Sequence, residues 1–118
     1  MPRTVLVVED EFLIAMDLQA MLERSGWQVM GPAPTVAMAL DLLESGLPTI
    51  ALLDINLGNE LVTRVAETLK ASGVPFAVAS AYEKPEQVCG EILAGVLNAG
   101  KPTNERRLLS VLEQLTAA

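Results

Sequence analysis

The run Ile50-Ala51-Leu52-Leu53 passes without a polar break into Asp54, and Ile55-Asn56-Leu57-Gly58-Asn59 follows. So short an apolar run is too brief for a helix. With turn formers behind it, it predicts a strand buried on both faces, as in a parallel sheet. Asp54 then stands at the carboxyl end of a central strand, where open α/β sheets place their ligands. A carboxylate leaving an apolar strand is costly unless it reaches solvent or meets a cation. These constraints make Asp54 the candidate reactive residue.

The rest of the chain alternates in the same way. Thr4-Val5-Leu6-Val7-Val8 is a second strand candidate, ending in Glu9-Asp10-Glu11. Helical spacing covers residues 12–23, with Phe12, Ala15, Met16, Met21 and Leu22 as its apolar positions and Ser25-Gly26 as its close. The acids ahead of that helix complement its dipole, which is their local explanation. Gln28-Val29-Met30 predicts a short strand, ended by a loop at Gly31-Pro32-Ala33-Pro34. Thr35 is a candidate N-cap for a helix turning Val36, Ala39, Leu40 and Leu43 inward, with Gly46 at its end.

Beyond Asp54, a loop at Gly58-Asn59-Glu60 leads to a third helix marked by Leu61, Val62, Val65, Ala66 and Leu69. Residues 74–80 predict the fourth strand, and Glu83-Lys84-Pro85-Glu86 starts a short fourth helix with Pro85 in its first turn. Gly95-Val96-Leu97-Asn98 is a weak fifth strand, followed by a turn at Gly100-Lys101-Pro102. Thr103 or Asn104 caps a last helix that carries Leu108, Val111, Leu112 and Leu115 on one face. The alternation predicts an α/β fold with residues 1–118 as one domain. Its sheet would be five-stranded, parallel and doubly wound in the order 2-1-3-4-5, with five helices over both faces.

Composition narrows the chemistry. Hydrophobic residues make up 51% and charged residues 19% of 118, so the chain can build a core. A formal charge of −7 argues against direct nucleic-acid binding, which needs clustered Lys and Arg. No apolar run approaches the ~20 residues of a membrane span, no signal-peptide pattern opens the chain, and Cys89 is the lone cysteine, so a cytoplasmic setting is expected. The absence of histidine removes His-based triads and imidazole metal sites. Carboxylates, hydroxyls, lysine or a bound ion must do the work. Trp27 is read as covering a sheet edge, and Cys89 and the methionines as core filling.

In the predicted order, Glu9, Asp10, Asp54, Ser80 and the loop with Lys101 all fall at one edge of the sheet. Each has a local explanation; together they are harder to explain that way. Two carboxylates about 5 Å apart repel by roughly 3 kcal/mol at an effective dielectric near 20, so three need a cation, a protonation shift or wider spacing. Oxygen-only ligands favour Mg²⁺ over zinc. A carboxylate nucleophile, a hard cation, a hydroxyl and a lysine make a coherent phosphoryl-transfer site.

At this point the chain resembles the receiver domain of two-component response regulators. The likeness runs from Val5-Leu6-Val7-Val8-Glu9-Asp10 through Leu53-Asp54 and Ser80 to Lys101-Pro102. It implies that Asp54 takes a phosphoryl group from a phosphohistidine on a histidine kinase or histidine phosphotransfer protein. Glu9, Asp10, Asp54 and the backbone carbonyl of Asn56 would hold Mg²⁺. Lys101 would pair with a phosphoryl oxygen, and its bond to Pro102 would be cis. Ser80 and the amides of Ile55 and Ala81 would hold the remaining oxygens, while Asn56 and Tyr82 would tune dephosphorylation.

Such a protein is no enzyme in the ordinary sense, but it takes part in its own phosphorylation and dephosphorylation. It would act on a downstream protein target as a stand-alone monomer or weak dimer. The alternatives are a receiver-like docking module that is not phosphorylated, or a phosphate sink.

Three positions depart from the family pattern. Glu9 replaces the commoner Asp. Gly58 stands where a proline is usual, which suggests a freer loop. Asn98 replaces the usual aromatic, which removes the ring-swing half of the switch. Pro75-Phe76-Ala77-Val78-Ala79-Ser80-Ala81-Tyr82 is similar to the Pro-Phe-x-Phe-Ala-Thr-Gly-Tyr signature of an atypical subgroup that also lacks that aromatic.

Two other readings fit less well. A dehalogenase-type phosphatase needs a second Asp at position 56, where this chain has Asn56. A flavodoxin-like carrier needs a Ser/Thr/Gly-rich phosphate loop where this chain has Glu9-Asp10-Glu11.

Overall fold

The computed structural model describes residues 3–58, 60–81 and 86–116, with the side chains of Asn56 and Val88 outside that description. Strand β1 (Thr4–Val8) leads to helix α1 (Phe12–Arg24), and β2 (Gln28–Ala33) to α2 (Val36–Ser45). Strand β3 (Ile50–Leu53) is followed by two short strands, β4 (Asn56–Leu57) and β5 (Glu60–Leu61), and then by α3 (Thr63–Ala71). Strand β6 (Phe76–Val78), α4 (Glu86–Cys89), a 3-10 turn at Glu91–Leu93 and α5 (Glu105–Thr116) complete the order.

The main sheet is parallel, in the order β2-β1-β3-β6. Every residue of β3 is buried, as its unbroken apolar run requires. Its side chains alternate between two cores. Leu6, Val8, Ala51 and Leu53 meet α2 and α3 through Ala39, Leu43, Val65 and Leu69. Val5, Val7, Ile50 and Leu52 meet α1 and α5 through Leu18, Leu22, Leu108 and Leu112. The doubly wound α/β class follows directly from this two-sided burial.

Several elements differ from expectation. The fifth strand is reduced to an isolated parallel bridge between Val78 and Asn98. Val78 N–H donates to Leu97 O at 2.9 Å and Ala99 N–H to Val78 O at 2.8 Å, and the pairing goes no further. The loop after Asp54 is not free. Asn56 pairs with Leu61 and Leu57 with Glu60 in an antiparallel ribbon, with Gly58 in the left-handed region at φ 65°. Strand β2 runs on through Gly31 and Pro32, where a loop was expected.

A bulge permits that continuation: Leu6 to Val8 on β1 faces Met30 to Ala33 on β2. Pro32 lacks an N–H, but β2 is an edge strand, where that loss is tolerated. Gly31 sits at φ 97°, and a Cβ there would lie 2.7 Å from Ala33 N and 3.1 Å from Val7 O. Only glycine fits.

In α1 the buried stripe is Ala15, Leu18 and Leu22. Phe12 is 71% exposed, and Met16 and Met38, read as core filling, are exposed too. The caps agree better: Thr35 Oγ1 accepts from Met38 N–H and Asn104 Oδ1 from Arg107 N–H, each at 3.1 Å. Trp27 is buried beside β2, with the Arg3 guanidinium 4.2 Å above its ring. Cys89 is buried against the α2–α3 core, and burial pushes its thiol pKa up, which suits packing rather than redox chemistry. The expected start of α4 at residues 83–85 and the position of Tyr82 lie outside the described residues.

Candidate functional site

Register places the acids. Val8 pairs with Leu53, so Glu9 and Asp54 leave adjacent strands side by side. Asp54 N–H donates to Val8 O at 2.8 Å, and Glu9 N–H to Ala33 O at 3.0 Å, which fixes both backbones. Glu9, Asp10 and Asp54 each offer an oxygen, all within 4.8 Å of one another. Asp10 is exposed, whereas Glu9 and Asp54 are buried.

Strand β6 lies beside β3, so Ser80 and Ala81 arrive at the same edge. The Val78–Asn98 bridge then brings in the loop with Lys101. Lys101 Nζ lies 3.4 Å from Asp54 Oδ2, 3.5 Å from Glu9 Oε2 and 3.6 Å from Glu11 Oε1. The Lys101-Pro102 peptide is cis. Asp10, Glu11, Asp54, Gly58, Ser80, Ala81 and Lys101 line one open cleft of ≈ 420 Å³.

The structure thus brings Glu9, Asp10, Asp54, Ser80, Ala81 and Lys101 together. Ile55 follows Asp54 with its side chain in the α2–α3 core and its carbonyl accepting from Val62 N–H at 3.2 Å. Asn98 sits at the bridge that carries the Lys101 loop. Glu11 is the residue that sequence reasoning passed over. It is the N-cap residue of α1 but makes no side-chain cap; instead its N–H donates to Glu9 Oε1 at 3.1 Å and its carboxylate faces Lys101. The signal was present in the acidic triplet, which a dipole explanation absorbed.

Electrostatics separates the groups. Burial pushes the Glu9 carboxyl up to about 7; the Glu11 N–H bond opposes this and the Asp54 charge adds to it. Burial also raises Asp54, with Lys101 pulling the other way. Burial disfavours the charge on Lys101, but Asp54, Glu9 and Glu11 outweigh it and hold its ammonium above the usual lysine range. Glu9 Oε2 and Asp54 Oδ2 are buried and make no hydrogen bond among the described residues, although both stand at ion-pair distance from Lys101. Underused carboxylate oxygens beside an exposed third acid are the donor set of a hard, oxygen-binding cation. The three acids can hold a metal ion.

No family model matches the chain. Over 118 residues it is 36% identical to the phyllosphere-induced regulator PhyR of Methylorubrum extorquens, covering 97% of this chain and 43% of that protein. The crystal structure of the response regulator PhyR from Brucella abortus superposes with a TM-score of 0.80 at 30% identity, over 98% of this chain and 48% of that one. A CheY-like response regulator receiver domain protein from Methanospirillum hungatei matches with a TM-score of 0.82 at 26% identity, over 97% of this chain and 93% of its own. The chain belongs to the response-regulator receiver family.

This receiver spans less than half the length of the curated relatives it first matches. No helix among the described residues is long and apolar enough to cross a membrane. Within the receiver fold, the cleft at the carboxyl ends of β1, β3 and β6 is the place where sequence and topology converge.

Proposed function

We propose that Asp54 of this receiver accepts a phosphoryl group from a phosphohistidine on a histidine kinase or histidine phosphotransfer protein, and that the aspartyl phosphate changes what the receiver binds. The observation that carries this reading is the Lys101 ammonium held between Asp54 and Glu9 in the cleft that also presents Ser80 and Ala81.

In the transfer, an Asp54 carboxylate oxygen forms a bond to phosphorus as the phosphorus–nitrogen bond of the phosphohistidine breaks. The electron pair leaves with the imidazole, which takes up a proton. Lys101 is already at ion-pair distance from Asp54, so a short shift lets it follow charge onto a phosphoryl oxygen. The Ser80 hydroxyl and the amides of Ile55 and Ala81 hold the other oxygens, and Asn56 and Tyr82 tune the return hydrolysis. Glu9, Asp10 and Asp54, with the carbonyl of Asn56, would hold Mg²⁺, which when bound offsets negative charge on the phosphoryl group.

The protein turns over no separate substrate. It acts in the cytoplasm, as a monomer or weak dimer, on a downstream protein, with the change read out at Ser80 and the segment after it.

Incubation with Mg²⁺ and phosphoramidate should add one phosphate by intact mass, and Asp54→Asn should abolish it. A folded protein that binds Mg²⁺ yet gains no mass would replace this reading with that of a docking module.

A further inference from the structure

Position 98 does something an aromatic ring could not. The backbone ladder between β6 and the segment at 97–99 ends with the Ala99-to-Val78 bond. Ala79 N–H is used on the other side, by Leu53 O at 2.9 Å. The next amide facing the segment, Ser80 N–H, donates to a side chain instead, Asn98 Oδ1 at 3.0 Å. The same oxygen accepts Gly100 N–H at 2.8 Å, an Asx-turn that swings the chain toward Lys101. Thr103 Oγ1 donates to Gly100 O at 2.8 Å and braces the far side of that turn. One side-chain oxygen therefore ties the backbone of Ser80 to the residue preceding Lys101. Because both donors are backbone N–H groups, the atom between them must be the amide oxygen.

We infer that Asn98 is a positioning residue, whose Oδ1 holds Ser80 and Lys101 in one fixed relation to Asp54. The inference rests on Asp54 being the phosphoacceptor. Phosphoryl transfer depends mainly on positioning and charge, so loosening two groups at once slows the step without removing either. Glu9 and Asp54 are anchored by their own backbone bonds to β2 and β1, so the acid cluster keeps its place without this oxygen.

The test is the initial rate of Asp54 phosphorylation by phosphoramidate at saturating Mg²⁺. Asn98→Ala should lower it about tenfold or more with the Mg²⁺ Kd unchanged. Asn98→Asp, which keeps the acceptor oxygen, should recover to within about threefold of the unaltered protein. In a Ser80→Ala background the loss from Asn98→Ala should shrink, because part of it acts through Ser80.

An alanine variant that labels at the original rate, or losses that multiply independently, would overturn the inference alone. An unaltered protein that takes no phosphate overturns the reading of Asp54, and the inference with it. Should the alanine variant not fold, amide hydrogen exchange on the unaltered protein decides. Slow exchange at both Ser80 and Gly100 is expected, and exchange at the rate of open loops at either refutes the shared acceptor.

Discussion

Glu9 carries the clearest conflict in the molecule. The residue is 2% exposed, next to Asp54 and Lys101, and burial raises its carboxyl pKa from 4.5 to about 7. A raised carboxyl pKa means that the folded chain holds the proton more tightly than the unfolded chain. Its contribution to stability is therefore fully present below pH 4.5, declines as pH rises and is lost above about 7. Asp54, also raised, acts with the same sign. Lys101 is raised too, so its contribution persists through neutral pH and fades only in the alkaline range.

Without metal, stability from urea unfolding should fall between pH 5 and 8. Glu9→Gln should flatten that fall and stabilise the metal-free protein at pH 8 by on the order of 2 kcal/mol. Because the ion needs ionised carboxylates, Mg²⁺ should stabilise the protein more at pH 8 than at pH 5. A metal-free stability curve unchanged by Glu9→Gln would mean that Glu9 is ionised at no cost.

At the scale of elements, β2 and its bulge set the first acid in place. Ala33 O receives the Glu9 N–H, and Ala33 reaches that point only because Gly31 and Pro32 add one residue to the strand. Gly31→Ala would meet backbone atoms that cannot withdraw, at a φ that L-residues rarely adopt. It should cost about 2 kcal/mol or more in unfolding free energy. A shift in the Glu9 amide resonance should accompany it; a neutral substitution would show that the bulge can relax. The ribbon β4–β5 plays a similar part beyond Asp54, giving the chain a paired path where a missing proline suggested a loose one. Arg24 at the end of α1 pairs with Glu105 at the start of α5, but both are exposed, so this tie between the helices is worth little.

At the scale of the whole molecule, the central strands are sealed on both sides. Leu52 and Leu53 are neighbours in sequence yet belong to different cores, one under α1 and α5, the other under α2 and α3. Leu52→Ala and Leu53→Ala should each cost about 2–5 kcal/mol by denaturant unfolding. A cost below about 1 kcal/mol for either would show that its layer is not packed.

The buried runs at β1 and β3, the acids after them, Ser80 and Lys101 were all legible in the sequence. A short apolar run ending in a charge states its own burial and its own boundary, and the βα alternation then collects the strand ends at one edge. The face of α1 was not legible. Phe12, Leu13, Ile14, Met16, Leu18, Met21 and Leu22 spread around the helix, so their spacing does not choose which of them the sheet covers. Contact with β1 and the sheet beside it chose Leu18 and left Phe12 and Leu13 outside. The continuation of β2 through a proline depended on the bulge opposite Leu6 and Val8, a pairing with β1 that no local pattern announces. The acceptor role of Asn98 lies in one oxygen shared between Gly100, two residues on, and Ser80, which is distant along the chain. Local chemistry marked the acids, the hydroxyl and the lysine at the strand ends. The packing of distant segments, which no periodicity encodes, decided how they are held.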